Sequence, residues 1–185
     1  MMAKQPMRCF TIFSSEAIKV LRYKQVFSYC FLLTLINVQE FMVMPSVVTM
    51  AKDFLGNGWF PVFLVLIHNL GDFLGRGPMA AFFSYSLQWS WLAMLVRFSL
   101  VTGICLSVPP YLLSHKPAWM ATFVALLGIS TGHLTTSLIV YASTDVPGKA
   151  KETVGYLGIL SITLGMAVGS GLSLGLEELI DKANR

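Results

Sequence analysis

The chain has 185 residues, of which 55% are hydrophobic and only 12% are charged. A globular protein has about 25% charged residues, so this composition does not fit a water-exposed surface and indicates a membrane protein. The formal net charge is +4, but Lys and Arg fall in short segments between apolar stretches. Because a nucleic-acid binder gathers them on one polar face, we expect no nucleic-acid partner.

Five apolar stretches are long enough to cross a bilayer as helices, which requires about 20 residues each. They are residues 26–50, 59–85, 91–113, 118–141 and 154–176. We therefore predict an all-α membrane protein with a cytoplasmic N-terminal segment, a five-helix transmembrane bundle and a short C-terminal tail, at residues 1–24, 25–178 and 179–185. The excess of Lys and Arg on one side of the spans places the N-terminus in the cytoplasm. We expect a multi-pass protein of the plasma membrane or of an intracellular membrane.

The first span contains a carboxylate, Glu40, and a proline, Pro45. An ionisable group inside a bilayer is costly unless it has a partner, a water-filled cavity or a function. Pro45 frees a backbone carbonyl one turn earlier, which predicts a kink. Glu40 could bind a substrate hydroxyl, exchange a proton or pair with Arg97, and the sequence leaves these three alternatives open. Arg97 itself is predicted close to the start of the third span, where it could snorkel to the interface.

The second span contains Asp72 and Arg76, whose spacing of four residues places them on one helical face. They could neutralise each other or bracket a polar ligand. The alternative is a structural ion pair that locks two helices together. Gly71 and Gly75 have the same spacing and predict that a neighbouring helix approaches closely.

Two histidines, His68 and His133, also lie in apolar spans. They could act as proton-linked groups, since imidazole titrates near neutrality, or as neutral hydrogen-bonding residues. The fourth span carries the most polar strip of the chain, residues 128–137. Its hydroxyl groups could bond to their own helix backbone or form a wall that contacts an uncharged polar solute. Glycines 165, 169, 171 and 175 of the fifth span predict tight helix packing.

Motifs for soluble catalysis are missing from the sequence. It contains no Walker A motif, no G-x-S-x-G nucleophile elbow and no HExxH or Cys/His cluster with metal-ligand spacing. We therefore expect no enzymatic activity, no metal and no cofactor.

The polar positions resemble the C-terminal half of the equilibrative nucleoside transporter family, over about residues 23–179. The most specific element is NLGDFLGR at residues 69–76, which is similar to the family's Asn-x-x-Asp-x-x-Gly-Arg signature. Pro45, the strip that opens with Ser130 and Gly132, and residues 152–155 and 164–170 support the resemblance. Where the family often reads Ser-Asn-Gly-Tyr, this chain has Ser-Thr-Gly-His at residues 130–133.

The resemblance implies a fold like that of the major facilitator superfamily, in which two helical bundles move around a central site. It implies transport of nucleosides or nucleobases, down their gradient or with protons, with Asp72 and Arg76 as the charged pair near the cavity. The residues that we predict to bind substrate are Asp72, Arg76, Asn69, Ser130, His133 and Glu40.

The family has eleven helices, six of them before the point where this resemblance begins. We therefore expect a fragment that lies in the lipid bilayer and works with a missing six-helix N-terminal half or with a second copy. Two alternatives stay open: a non-transporting membrane subunit or relic that packs with partner helices, and a transporter of another small polar solute.

Overall fold

The computed structural model describes residues 24–44, 46–50, 58–80, 87–108, 117–144, 146 and 148–184. Its five long helices are α1 (Lys24–Val43), α2 (Trp59–Leu74), α3 (Leu87–Leu106), α4 (Pro117–Thr144) and α5 (Lys151–Asn184). A short helix, Ser46–Thr49, follows α1, a π-helical turn, Gly75–Met79, continues α2, and a 3-10 turn, Gly148–Ala150, precedes α5. Every element in these ranges is helical, so the predicted all-α membrane fold is confirmed.

Four segments within the described ranges are long and apolar enough to cross a membrane: Val26–Thr49, Leu87–Leu106, Pro117–Thr144 and Lys151–Leu179. The remaining predicted span corresponds to α2 with its π-helical turn. Pro78 lies inside that turn. Proline lacks a backbone N–H and its ring crowds the carbonyl four residues earlier, so the wider turn accommodates it within a continuous helical path. Pro45 lies outside the described residues, and its predicted kink stays a prediction.

The helix ends differ from the predicted spans because polar residues extend the helices. The third helix begins at Leu87, several residues before the predicted start, and α5 runs to Asn184, so residues 179–184 of the predicted tail are helical. Glu152 lies in the first turn of α5 and Lys182 in its last turn. Both charges suit the helix dipole, so polarity at these ends does not terminate the helix.

Two apolar clusters stabilise the bundle, and α4 contributes to both. The first cluster joins the N-terminal part of α1 to the C-terminal part of α4 and the start of α5. The second joins the end of α1 and the short helix after it to the N-terminal parts of α2 and α4 and the C-terminal part of α3. Along α1, α3 and α4, the residues between the two clusters include the buried polar side chains of Gln39, Arg97 and Thr131, which belong to the layer described below.

Helix α5 packs against α1 through two of its glycines. A Cβ atom added to Gly165 would lie 2.7 Å from the Cβ of Asn37, and one added to Gly169 would lie 2.7 Å from the carbonyl oxygen of Val38. A Cβ added to Gly171 or Gly175 would meet nothing within 4 Å. The predicted tight packing is therefore confirmed at the first pair, whereas among the described residues the second pair has no close neighbour.

Candidate functional site

A layer of polar side chains lies between the two apolar clusters, at mid-height of the bundle. Its members are supplied by α1, α2, α3 and α4, and four of the six are fully buried. We call this set the polar layer: Gln39, Glu40, His68, Arg97, Ser130 and Thr131. Buried polar groups are costly unless they are paired, so the contacts within this layer decide what it can do.

Arg97 is at the centre of the polar layer and is only 1% exposed. Its guanidinium donates to Ser130 Oγ at 2.6 Å, to Thr131 Oγ1 at 3.0 Å and to Gln39 Oε1 at 3.3 Å. The expectation that Arg97 snorkels from the start of a span is therefore wrong, because α3 begins at Leu87 and places Arg97 midway along the helix. Arg97 instead joins α3 to α1 and α4.

Glu40 of α1 faces His68 of α2. The distance from Glu40 Oε1 to His68 Nε2 is 3.5 Å, and the side chains are 13% and 6% exposed. Glu40 also interacts electrostatically with Arg97, Asp72 and Arg76. Among the described residues, Glu40 and Arg97 make no direct ion pair. The other two alternatives for Glu40, binding a substrate hydroxyl and exchanging a proton, stay predictions.

Asp72 and Arg76 form an ion pair at 2.7 Å, from Asp72 Oδ2 to Arg76 Nε. Because both belong to one helical stretch, the pair does not lock two helices together, which was the structural alternative. The Arg76 side chain is 52% exposed and that of Asp72 is 23% exposed, and Asn69 is exposed one turn away. These three residues follow a spacing of three and four, so they form a polar stripe along α2, bordering the polar layer.

The polar stripe is held against α4 by a crossing of four glycines, two on each helix. A Cβ atom added to Gly71 would lie 2.8 Å from the carbonyl oxygen of Ala125, and one added to Gly75 would collide with the carbonyl of Ile129. Glycines 128 and 132 of α4 face the backbone of His68 and Asp72 in the same way. The predicted close approach at Gly71 and Gly75 is confirmed, and the partner helix is α4.

The two predicted site residues on α4 have different surroundings. Ser130 is half-buried, donates to the carbonyl of Leu127 at 2.8 Å and accepts from Arg97. Its hydroxyl therefore supports the polar layer as well as its own helix. His133 is buried, 5% exposed, one residue beyond the glycine that faces Asp72. The described contacts do not bring its side chain into the Arg97 network.

Three polar atoms of the region are buried and have no hydrogen-bond partner within the described ranges: Gln39 Nε2, His68 Nε2 and Asp72 Oδ1. One is a donor, one is an imidazole nitrogen and one is a carboxylate acceptor. Unpaired buried polar atoms are rare in folded proteins, and groups that bind a ligand are one physical reason for them. The arrangement suits a small polar solute that carries both donors and acceptors.

Comparison with known proteins identifies a matching family and several relatives whose names state a class of solute. The profile of the family described as "Nucleoside transporter" matches residues 3–177. The chain belongs to this family. Similar proteins include Equilibrative nucleotide transporter 8 of Arabidopsis thaliana, 29% identical over 64% of this chain and 31% of that protein.

Two further relatives of this nucleoside transporter family member align with it over smaller shares of both chains. Equilibrative nucleotide transporter 1 of Arabidopsis thaliana is 31% identical over 60% of this chain and 25% of its own length. Equilibrative nucleoside transporter 4 of Homo sapiens is 29% identical over 62% of this chain and 22% of its own length. The aligned part of the chain thus spans less than a third of the length of each of these relatives.

Sequence reasoning missed Gln39 as a member of the polar layer, and it noted Thr131 only as part of the polar strip at residues 128–137, without selecting it as a site residue. Gln39 lies beside Glu40 in an apolar span and is 3% exposed, and Thr131 lies beside Ser130 and is 1% exposed. Both are uncharged, and a search for ionisable groups in the spans passes over them. A rule that also scored amides adjacent to a charge within a span would have found Gln39 in this member of the nucleoside transporter family, whereas Thr131 has no charged neighbour in the sequence.

Proposed function

We propose that this chain forms a solute-binding helical bundle of a nucleoside transporter and that the polar stripe contacts the solute. The single observation that carries the proposal is the Asp72 carboxylate. Its Oδ2 accepts from Arg76, while its buried Oδ1 has no partner among the described residues. Leaving a buried acceptor unpaired costs about 1–3 kcal/mol, and a solute hydroxyl is a donor that would remove this cost.

The solute class that fits this arrangement is a nucleoside, because ribose hydroxyls can donate to Asp72 and accept from Arg76. A nucleobase lacks those hydroxyls, and its ring N–H groups would have to donate to Asp72 instead. Ser130, His133 and Glu40 are further candidate contacts on the side of the polar layer. The relatives are named for nucleosides and nucleotides, which supports this solute class for the chain.

The exposed polar stripe also supports a partner. An arginine that is half exposed on a transmembrane helix is costly in lipid, so it should face a water-filled cavity or other helices. We propose that a second helical bundle faces the stripe, with the solute between the two bundles. That bundle would be a six-helix N-terminal half or a second copy of this chain.

Uptake of radiolabelled uridine and adenosine tests the proposal, in cells that express the chain alone or together with the six-helix N-terminal bundle of a relative. We expect uptake in at least one of these settings. Asp72→Asn and Arg76→Gln should each reduce uptake at least about tenfold, because each removes a charge-assisted hydrogen bond worth about 1.5–3 kcal/mol. Surface labelling in the same cells measures how much protein reaches the membrane.

Phe73→Leu is the matched control, because Phe73 lies beside Asp72, is 70% exposed and makes no polar contact through its side chain. Normal uridine uptake by both charge variants would contradict the assignment of the site. Uptake of a sugar or an amino acid without uridine uptake would favour another polar solute. Correct membrane insertion without any uptake would favour a non-transporting subunit.

A further inference from the structure

One buried pair of titratable groups joins Glu40, named above only as a further candidate contact, to His68, which the proposed solute contacts do not use. Glu40 on α1 and His68 on α2 face each other at 3.5 Å with side chains that are 13% and 6% exposed. They lie deeper than the half-exposed Arg76, on the inner side of the polar stripe.

The contact between Glu40 and His68 is favourable only when a hydrogen lies between the two groups. His68 Nε2 is buried and makes no hydrogen bond within the described part of the chain, and Glu40 Oε1 lies 3.5 Å from it. A carboxylate oxygen and a bare imidazole nitrogen are both acceptors and repel each other, whereas an N–H between them makes the contact attractive. With the imidazole doubly protonated, the contact could shorten to a charge-assisted hydrogen bond of about 2.7–2.9 Å.

We propose that Glu40 and His68 form a proton-binding site that holds one exchangeable proton between α1 and α2. The proton comes from water on one side of the membrane and converts the carboxylate and neutral imidazole into a carboxylate–imidazolium pair. Its release to water restores the neutral imidazole. On binding, an O–H bond of hydronium breaks as the N–H bond forms, on release the reverse occurs, and no other reactant is needed.

The charges around the pair give this proton a large effect. Glu40 interacts with Arg97 of α3 and with Asp72 and Arg76 of α2 and its π-helical turn. Two carboxylates and two guanidiniums balance, so the group is neutral while His68 is neutral, and one bound proton makes it positive. A change of one unit charge in a buried layer acts strongly on neighbouring groups, because the local dielectric constant is low.

The other helices packed around Glu40 add hydroxyls and glycines to its surroundings. Helix α4 presents the Thr131 hydroxyl to Glu40 and carries one more buried imidazole, His133. Helix α5 meets α1 nearby through Gly165 and Gly169, which have no titratable side chain. His133 is therefore the group that an experiment must separate from the proposed pair.

The proton site lies next to the Asp72–Arg76 pair, so proton binding and solute binding should be linked. If a bound proton changes the affinity for solute, solute changes the affinity for the proton by the same factor. This linkage rests on the proposed function, whereas the proton site itself does not. The two ideas can therefore fail separately.

The chain has three histidines, so His68 can be made the only imidazole. In the purified His115→Gln/His133→Gln variant, reconstituted in lipid nanodiscs with 15N-labelled histidine, NMR spectra from pH 8 to pH 5 report on His68 alone. We expect His68 to titrate in this range. Adding Glu40→Gln should shift the midpoint of the His68 titration by about one pH unit or more. The reason is that a carboxylate in contact with an imidazole shifts the pKa of the imidazole by about that amount. Adding Glu178→Gln, an exposed carboxylate paired with Lys182, should leave the midpoint unchanged.

Infrared difference spectra of the wild-type chain between the same pH values give a second measurement that does not depend on the histidine variants. Glu40→Gln and His68→Gln should each remove the same proton-dependent change, since one proton is shared. A His68 that does not titrate between pH 5 and pH 8 would overturn the site. So would a midpoint or an infrared change that Glu40→Gln leaves as it is.

Uridine binding by the wild-type chain in the same nanodiscs, measured between pH 5 and pH 8, separates the two proposals. Binding that varies with pH in the wild type but not in Glu40→Gln supports the linkage. If uridine binding by the Glu40→Gln variant still depends on pH, the linkage between proton and solute is contradicted. The NMR titration then decides separately whether the proton site exists. Absence of uridine binding at every pH, both for the chain alone and with the six-helix N-terminal bundle of a relative, contradicts the proposed function and leaves the NMR titration as the test of the proton site.

Discussion

Replacing Arg97 with alanine is expected to lower the free energy of unfolding by about 3–5 kcal/mol, which is the usual cost of removing one partner from a buried charged network. The guanidinium holds Gln39 of α1 and both Ser130 and Thr131 of α4. Alanine would leave these groups without their donor and would leave the Glu40 carboxylate without its buried positive neighbour. Denaturation in mixed micelles, followed by far-UV circular dichroism, measures the change.

Two further substitutions separate the charge of Arg97 from its volume. Arg97→Met keeps most of the volume but none of the donors, so it should remain destabilised by more than about 1 kcal/mol. Val96→Ala is the control, because Val96 is the preceding residue of α3 and is 56% exposed. If Arg97→Ala unfolds at the same denaturant concentration as Val96→Ala, the polar layer does not stabilise the bundle.

The number and order of the helices follow from the sequence because lipid imposes a simple rule on it. Each span must satisfy its backbone hydrogen bonds internally and must be apolar over about 20 residues. The ends of the helices do not follow from that rule. Residues 151–153 and 179–184 are helical although they include charged side chains, since outside the bilayer core a helix tolerates any residue that suits its terminus.

Part of the candidate site was visible in the sequence because it depends on spacing within one helix. Asp72 and Arg76 had to share a face, and Gly71 and Gly75 had to share another, since both pairs are four residues apart. The contacts between helices could not be obtained in this way. They depend on how each helix is rotated about its axis and on which helices are neighbours, and no spacing within one span encodes either.

Glu40 shows this limit most clearly. Its charge in an apolar span marked it as functional or paired, and Arg97 was the partner considered. The fold instead turns Glu40 toward His68 and turns the adjacent Gln39 toward Arg97. Adjacent residues on a helix point about 100° apart, so one step along α1 decides which neighbour each side chain meets. The pairing therefore required the structure.

Replacing Gly132 with alanine is expected to destabilise the bundle by about 2–3 kcal/mol, near the upper end for overpacked sites. An added Cβ at Gly132 would collide with the backbone carbonyl of Asp72. A backbone carbonyl in a packed helix cannot rotate aside as a flexible side chain can, so α2 and α4 must move apart. This separation would also move Asp72, so we expect solute uptake to fall together with stability.

Gly77→Ala is the matched control, because it adds the same methyl group in the π-helical turn after Asp72, where a Cβ would meet nothing within 4 Å. Thermal unfolding of both variants in detergent, together with uridine uptake in cells, compares the two sites. Equal melting temperatures for Gly132→Ala and Gly77→Ala would show that the crossing of α2 and α4 is looser than the four glycines indicate. A lower melting temperature for Gly132→Ala alone would show that these glycines determine how closely α4 packs against α2. That distance in turn positions the Asp72–Arg76 pair.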